Sequence, residues 1–435
     1  MKLSRRSFLA ASAAWSLTAA AQAPRSAPSD RIRLALIGCG ERGREVLRFF
    51  VEQPDVDCLA VCDVDDAQIE RAAKVVQRVS RKTPEKMKDF RRVLDRKDVD
   101  ACLIATPDHW HALPAVNACQ AGKDVYLEKP MALTLAEEQA IATAVRKHAR
   151  VFQLGTQWRS GAHYQEAISQ VRAGRLGNIR HVRCWCFLDW VVSLGKPPDS
   201  DPPMGVDYDF WLGPSPRRPF NANRFHFNFR WFWDYGGGLM TDWGVHMFNL
   251  VYWALGPAPP ASVVAVGGKY SMDDNTETPD TLTVTYEYPD HTVTWEHLAN
   301  TSLTLYNRPT GVAFVGSEGC LIVGDGGYQI VPGKAKYQLE PHEFVVEKIS
   351  EAKSEGGQAH VRNFLDCVRS RAETVSNINI GSLASATAHL GNIALRSASR
   401  IKWDAAAGKV IGSDAAVQLC SRKYREPWSL PYMKV

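Results

Sequence analysis

Ten cysteines are present, yet no two stand in a Cys-x-x-Cys spacing, which removes the short redox motif and the common zinc frameworks. They are scattered singly, so mostly free, buried thiols are expected; Cys184 and Cys186, flanking Trp185, fit one face of a strand. An excess of one charge is also missing. The formal net charge is +5, and removing Lys2, Arg5 and Arg6 from the 52 basic residues leaves 49 against 47 acidic ones, roughly +2. There is no clustered basic stripe either, so nucleic acid is not an expected partner. Beyond the first segment no apolar run reaches the eighteen or more residues a membrane span needs, and no internal repeat or low-complexity tract occurs. His109-x-His111 beside Asp108 lacks a third strong donor at recognisable spacing, so no metal is expected.

What is present begins with Ser4-Arg5-Arg6-Ser7-Phe8-Leu9 and an apolar run through Ala21. Paired arginines followed by Phe-Leu and a short apolar stretch read as a twin-arginine export signal. We therefore assign residues 1–23 to a signal peptide and 24–30 to a Pro/Ser/Ala linker. The expected location is periplasmic or extracellular, with the twin-arginine machinery as a partner. That route carries folded proteins, often with a cofactor already loaded.

The 435 residues, 45% of them hydrophobic, suit two domains with ample cores. From residue 32 an apolar strand runs into Gly38-Cys39-Gly40-Glu41-Arg42-Gly43, which opens a helix. A second strand at 58–62 ends in Asp63, twenty residues after Gly43. This is a dinucleotide fingerprint in its required strand–turn–helix setting. Glycine lets backbone amides approach a pyrophosphate at the helix N-terminus. Asp63 can accept hydrogen bonds from the adenosine ribose and would repel a 2′-phosphate, which favours NAD over NADP. Strand–helix alternation continues to residue 154 and predicts a doubly wound parallel sheet over 31–154. In such sheets ligands bind at the carboxyl ends of strands. Three loops qualify: 38–43, Thr106-Pro107-Asp108-His109-Trp110-His111, and Glu128-Lys129-Pro130.

The remainder, 155–435, changes character. Prolines crowd 189–220, and strand patterns at 262–266, 281–288, 292–298, 312–316 and 320–323 are joined by short turns such as Pro289-Asp290. Helical patterns cover 358–371 and 382–399. An α+β domain with an open, largely antiparallel sheet is expected, one face of which suits a homo-oligomer contact. Eight aromatic residues lie between Phe220 and Tyr235. They suit stacking against sugar C–H faces, and equally suit pinning a long loop. Next comes Gly236-Gly237-Gly238, expected to let a helix start close against the cofactor-bearing face. Asp242 and His246, four apart, would share one face of that helix, a carboxylate beside an imidazole suited to acid–base work.

Gly38-x-Gly40-x-x-Gly43, Glu128-Lys129-Pro130 and Gly236-Gly237-Gly238-x-x-x-Asp242-x-x-x-His246, in that order, resemble the Gfo/Idh/MocA family (glucose–fructose oxidoreductase, inositol dehydrogenase and rhizopine-catabolism proteins). The resemblance covers nearly all of 31–430, and Gly155-Thr156-Gln157-Trp158-Arg159-Ser160 looks like its exported bacterial branch. It implies that Lys129 lies beside the nicotinamide and the reacting hydroxyl, that His246 is the general base, and that Asp242 contacts substrate or sets the state of the imidazole. Gly38, Gly40, Glu41, Arg42, Gly43, Asp63, Thr106, Pro107, His109, His111, Glu128 and Lys129 are the candidate cofactor contacts. Trp158, Arg159, Trp233 and Tyr235 are the candidate substrate contacts.

Three activities fit this reading. One is NAD(P)-dependent oxidation of a secondary hydroxyl on a sugar or cyclitol. Another is redox-neutral glycoside cleavage, in which transient oxidation, elimination and re-reduction return a tightly bound cofactor to its starting state. The last is non-catalytic sugar binding. Outside the cytoplasm there is no free NAD pool, so a bound cofactor must be reset by a second substrate or be used in a cycle with no net redox change.

Overall fold

The computed structural model describes residues 30–333, 346–349, 356–404 and 408–433. The signal segment 1–23 and, but for residue 30, the linker 24–30 lie outside the described residues.

The first domain is built from β1 (Ile32–Ile37), α1 (Glu41–Val51), β2 (Val56–Cys62), α2 (Asp66–Ser80), β3 (Glu85–Met87), α3 (Phe90–Asp95), β4 (Ala101–Ile104), α4 (Ala112–Gln120), β5 (Asp124–Leu127), α5 (Leu135–Lys147) and β6 (Phe152–Leu154). All five strand pairs are parallel, in the order β3-β2-β1-β4-β5-β6. Apart from Arg33 and Asp124, β1, β4 and β5 are apolar and buried on both faces, as helices on both sides of a parallel sheet require. The order in which strands are added reverses between β1 and β4, and that switch opens the crevice at the strand ends. Local caps fix the helices: Asp65 accepts from Ala67 N before α2, Asp89 from Arg91 N before α3, and Thr134 from Glu137 N before α5. Three-residue β3, charged at two positions, gave no apolar pattern to read.

The second domain carries α6 (Ala162–Arg172), β7 (Ile179–Leu188), α7 (Tyr208–Leu212), α8 (Gly238–Asp242), α9 (Gly244–Leu255), β8 (Ser262–Gly268), β9 (Thr281–Glu287), β10 (Thr292–Ala299), β11 (Thr310–Gly316), β12 (Gly319–Gly324), β13 (Gly327–Pro332) and β14 (Val346–Ile349). It continues with α10 (Gly357–Ser370), α11 (Ile378–Arg396), β15 (Ile401–Asp404), β16 (Lys409–Ile411) and α12 (Asp414–Gln418). Its ten strands run in the order β14-β13-β12-β11-β7-β10-β9-β8-β15-β16. The sheet is largely antiparallel, as expected, with one parallel pair, β7 with β10. That pair is joined by the long excursion over 189–291, the length a parallel crossover demands. β9 and β10 alternate buried and exposed residues, the mark of a one-faced sheet.

Two returns of the chain bind the domains together. α10 lays Val361, Phe364 and Leu365, all fully buried, into the core beneath β1 and α1. Phe364 meets Phe50 and Tyr126 edge-on at 6.0 and 5.8 Å, and Arg362 pairs with Asp55 at 2.8 Å. The C-terminal segment then crosses α5, where Arg422 and Tyr424 both donate to the buried Glu137 carboxylate at 2.8 and 2.6 Å.

Candidate functional site

A cavity of about 480 Å³ opens at the switch point, walled by residues from the loops after β1, β2, β4 and β5 and by Phe227, Phe229 and Arg230 of the second domain. Gly38 shapes its floor. Its φ of +93° suits glycine alone, and a Cβ there would lie 2.5 Å from the Ala105 carbonyl carbon. A Cβ on Gly43 would meet Gly38 O at 2.1 Å, whereas Gly40 faces open space. The N-terminus of α1 has no side-chain cap, so its amide groups are left for an anion, in keeping with the helix dipole.

Asp63 stands at the end of β2 on the cavity wall. Its Oδ2 accepts from Cys39 N at 2.7 Å and its Oδ1 from Asp65 N at 3.1 Å. Burial pushes the carboxyl up to about 6 against the pull of these amides. Two bonds leave acceptor capacity for ribose hydroxyls. Thr106 Oγ1 is buried on the same wall without a partner among the described residues. An uncapped helix end, a glycine floor, a carboxylate and an orphaned hydroxyl together fit a dinucleotide.

Arg42 reaches from α1 to Glu128 Oε1 (3.0 Å), Glu45 Oε2 (2.9 Å) and Gln157 Oε1 (2.9 Å). Burial opposes its charge, but the adjoining carboxylates Glu128 and Glu45 raise its pKa above the usual value. Glu128, 3% exposed, is held against Gly155, where a Cβ would lie 2.5 Å from Oε1. His111 has Pro130 O at 2.6 Å from Nδ1 and Thr106 O at 2.8 Å from Nε2. Burial pushes its imidazole down to about 4, so the ring is neutral and its single N–H serves one of the two carbonyls. Gly38, Gly40, Glu41, Arg42, Asp63, Thr106, Pro107, His111, Glu128 and Lys129 line the cavity, and Gly43 sits directly beneath Gly38. His109 is turned away. Its ring lies between Trp211 and Tyr235, with Nε2 at 2.9 Å from Trp211 O.

Lys129 joins the domains. Its Nζ donates to Asp242 Oδ1 at 2.5 Å and to Asp242 O at 2.7 Å. Arg230 Nε donates to the same Oδ1 at 3.1 Å. Burial opposes the charge on Asp242, but Lys129 and Arg230 hold its carboxyl well below the usual carboxylate range. Close by, Asp108 is 7% exposed on the cavity wall and is pushed up to about 8 by burial, with Arg230 and Lys129 opposing and Asp242 assisting. It is therefore mostly neutral at pH 7. Arg230 and Asp108 escaped the sequence reading as site residues. The available signal was a pair of arginines, Arg224 and Arg230, inside an aromatic run, since a charge placed among rings needs a partner.

The glycine-rich segment needs two corrections. Asp242 ends α8 and His246 lies in the first turn of α9, with a break at Trp243, so the two do not share one continuous helix. Among the described residues no hydrogen bond joins them, because Asp242 is taken by Lys129 and Arg230. The glycines also press on a different partner from the expected cofactor face. A Cβ on Gly236 would lie 2.8 Å from Arg230 Cα, one on Gly237 2.5 Å from Thr241 Oγ1, and one on Gly238 (φ +66°) 2.8 Å from Thr278 Cβ. Close packing within the second domain, against Arg230, Thr241 and Thr278, is what these positions require.

His246 is 7% exposed and tilts against Trp158 at 4.9 Å; its Nδ1 is buried with no partner among the described residues. Burial first, then Lys129 and Arg42, drive its pKa well below the ordinary value, so the imidazole is neutral. The other candidate substrate contacts spread apart. Arg159 donates to Asn249 Oδ1 (3.1 Å) and covers Trp253 (5.1 Å). Trp233 lies under Arg396 at 4.6 Å, and Tyr235 is fully buried against His109 and Trp211.

All ten cysteines are unpaired, eight of them buried. Among the described residues there is no group of three or more potential metal ligands, and no helix long and apolar enough to cross a membrane.

Two family models match the chain: residues 32–156 fit the NAD-binding Rossmann fold of the Gfo/Idh/MocA oxidoreductases, and residues 182–317 fit their C-terminal alpha/beta domain. A glycosyl hydrolase family 109 protein of Stenotrophomonas maltophilia is 30% identical over 188 residues, 42% of this chain and 41% of that protein. An alpha-N-acetylgalactosaminidase of Shewanella oneidensis is 31% identical over 155 residues, 34% of each. These matches span well under half the length of either relative. Among solved structures, the WlbA dehydrogenase of Bordetella pertussis with NADH and UDP-GlcNAcA aligns with a TM-score of 0.62 at 19% identity, over 86% of this chain and 99% of that one. Levoglucosan dehydrogenase with NADH and levoglucosan aligns with a TM-score of 0.66 at 17% identity, over the same shares. At these identities the likeness speaks for the fold.

Proposed function

We propose that this chain, which belongs to the Gfo/Idh/MocA oxidoreductase family, oxidises a secondary hydroxyl of a sugar or cyclitol at the junction of Lys129, Asp242 and His246. The observation that carries the reading is the Lys129–Asp242 pair, 12% exposed on both sides, which fixes an ammonium on the wall of the dinucleotide cavity. Bound NAD supplies the hydride acceptor: the alcohol loses a hydride to it and a proton to the protein, leaving a ketone. Lys129 Nζ stabilises negative charge growing on the alcohol oxygen. Asp242 holds that ammonium in place through its carboxylate and its carbonyl. His246, neutral and with a free ring nitrogen, takes the proton.

A redox-neutral glycosidase cycle is the second reading, favoured by the family 109 relatives. It also suits export of the mature protein by the twin-arginine route as a homo-oligomer, both part of this proposal, because a cofactor returned to its starting state needs no external pool. The decisive experiment purifies the folded protein and assays it for bound dinucleotide by absorbance and mass spectrometry, then incubates it with free sugars and aryl glycosides. A keto-sugar with stoichiometric NADH supports oxidation; aglycone release without net NADH supports the cycle. A protein that neither carries nor binds NAD refutes both.

A further inference from the structure

Two large rings, one of them on the cavity wall, stand half in solvent. Trp190 is 46% exposed and Phe227 46%, with Val192, two positions after Trp190, at 47%. The rings meet edge-on, centroids 5.9 Å apart. Most of the other aromatic residues between 208 and 235 are buried or partly buried, so the loop is pinned without these two. Exposure of paired large rings calls for an occupant.

Three observations tie the pair to the reacting centre. Phe227 itself walls the cavity. The Arg230 guanidinium lies 4.6 Å from the Phe227 ring centre and donates to the Phe227 carbonyl at 3.0 Å, while its Nε bonds Asp242, which bonds Lys129. The backbone is also held out of its preferred region to present the ring. His226, just before Phe227, has φ +49°, a conformation costing a non-glycine residue on the order of 1 kcal/mol. It is secured by His226 Nε2 against Asp65 Oδ2 at 2.9 Å, across the domain boundary. Asp189, exposed next to Trp190, adds a carboxylate acceptor beside an apolar face. Ring faces for C–H stacking and a carboxylate for hydroxyls are what recognise a pyranose.

We infer that Trp190 and Phe227 form a second sugar subsite, so that the substrate is a glycoside of at least two rings, one at Lys129 and the next on this platform. This rests on the carbohydrate reading above and names its substrate class. An edge-on ring pair gives a sugar a face to cover with one ring and an edge to lean on with the other. The ring contact from Trp190 to Phe227 and the hydrogen bonds from Phe227 through Arg230 and Asp242 to Lys129 keep the two subsites in register.

The test measures binding, so it does not depend on turnover. NAD-saturated full-length protein is titrated by calorimetry with matched mono-, di- and trisaccharides of the gluco, galacto and N-acetylhexosamine series. In at least one series the disaccharide is expected to bind about tenfold more tightly than the monosaccharide. Trp190→Ala should erase that gain and leave monosaccharide affinity alone, and Trp190→Phe should restore most of it. Phe227→Ala should weaken both. Equal affinity for mono- and disaccharides in every series overturns the proposal, as does a gain that survives Trp190→Ala. A lower mass of Trp190→Ala by light scattering, with sugar affinities unchanged, also overturns it and makes the ring pair a subunit contact. Length-dependent binding in a protein that turns nothing over would leave the subsite standing while the oxidoreductase reading fell.

Discussion

Replacing Asp242 with asparagine keeps the shape of the site and removes one charge, with consequences that follow from its neighbours. Lys129 and Arg230 both bond the same carboxylate oxygen, at 2.5 and 3.1 Å, so the variant leaves two cations facing one another with little water between. Breaking a buried pair from one side costs about 3–5 kcal/mol. The low end applies, because Asp108 is kept protonated partly by Asp242; once Asp242 is neutral, Asp108 ionises more readily and offsets part of the charge. We expect Asp242→Asn to lose about 3 kcal/mol at pH 7, roughly two decades in the unfolding constant. The loss would be read from urea midpoints by tryptophan fluorescence. Asp242→Asn combined with Asp108→Asn should cost more than the two single effects added. The sign of the pH dependence is fixed too. A carboxyl whose folded pKa lies below its unfolded value stabilises fully above the ordinary carboxylate range and loses that contribution as pH falls. The part of the gap between wild type and Asp242→Asn that comes from Asp242's own charge should therefore narrow in acid. An unchanged midpoint at pH 7, or a gap that fails to narrow in acid, would refute the charge argument.

Three further outcomes follow from the same geometry. Asp108→Asn should be more stable than wild type at neutral pH, since a carboxyl raised to about 8 loses stability as pH climbs from its unfolded value; an advantage that failed to shrink toward pH 4 would count against this, as measured by thermal melts across pH. Gly155→Ala puts a Cβ 2.5 Å from Glu128 Oε1 and should displace that carboxylate from Arg42, weakening NADH binding on the order of tenfold in fluorescence titration with the fold retained. Lys129→Ala and His246→Ala should each abolish turnover while the dinucleotide stays bound, and near-wild-type rates in either would remove that residue from the mechanism.

The dinucleotide half of the molecule was legible because its constraints are local. Gly38 needs its φ of +93° and its clearance from Ala105 whatever else happens, and strand-end placement puts Asp63, Thr106 and Lys129 on one rim before any contact is known. Family-level motifs then tied Lys129, Asp242 and His246 together. What the linear chain could not show was which groups pair. A spacing of four promised Asp242 and His246 a shared helix, but helix continuity depends on the backbone at Trp243, and the carboxylate went to the strongest cations within reach. Those are Lys129, 113 positions away, and Arg230, 12 away. The three glycines announced a close approach without saying to what; only packing identified Arg230, Thr241 and Thr278 as the neighbours. Asp108 and the Trp190–Phe227 pair belong to the same class. A carboxyl's protonation and a ring's exposure depend on everything folded around them, so sequence determined the elements and the cofactor rim, and tertiary structure alone decided which charges pair and which surfaces stay exposed.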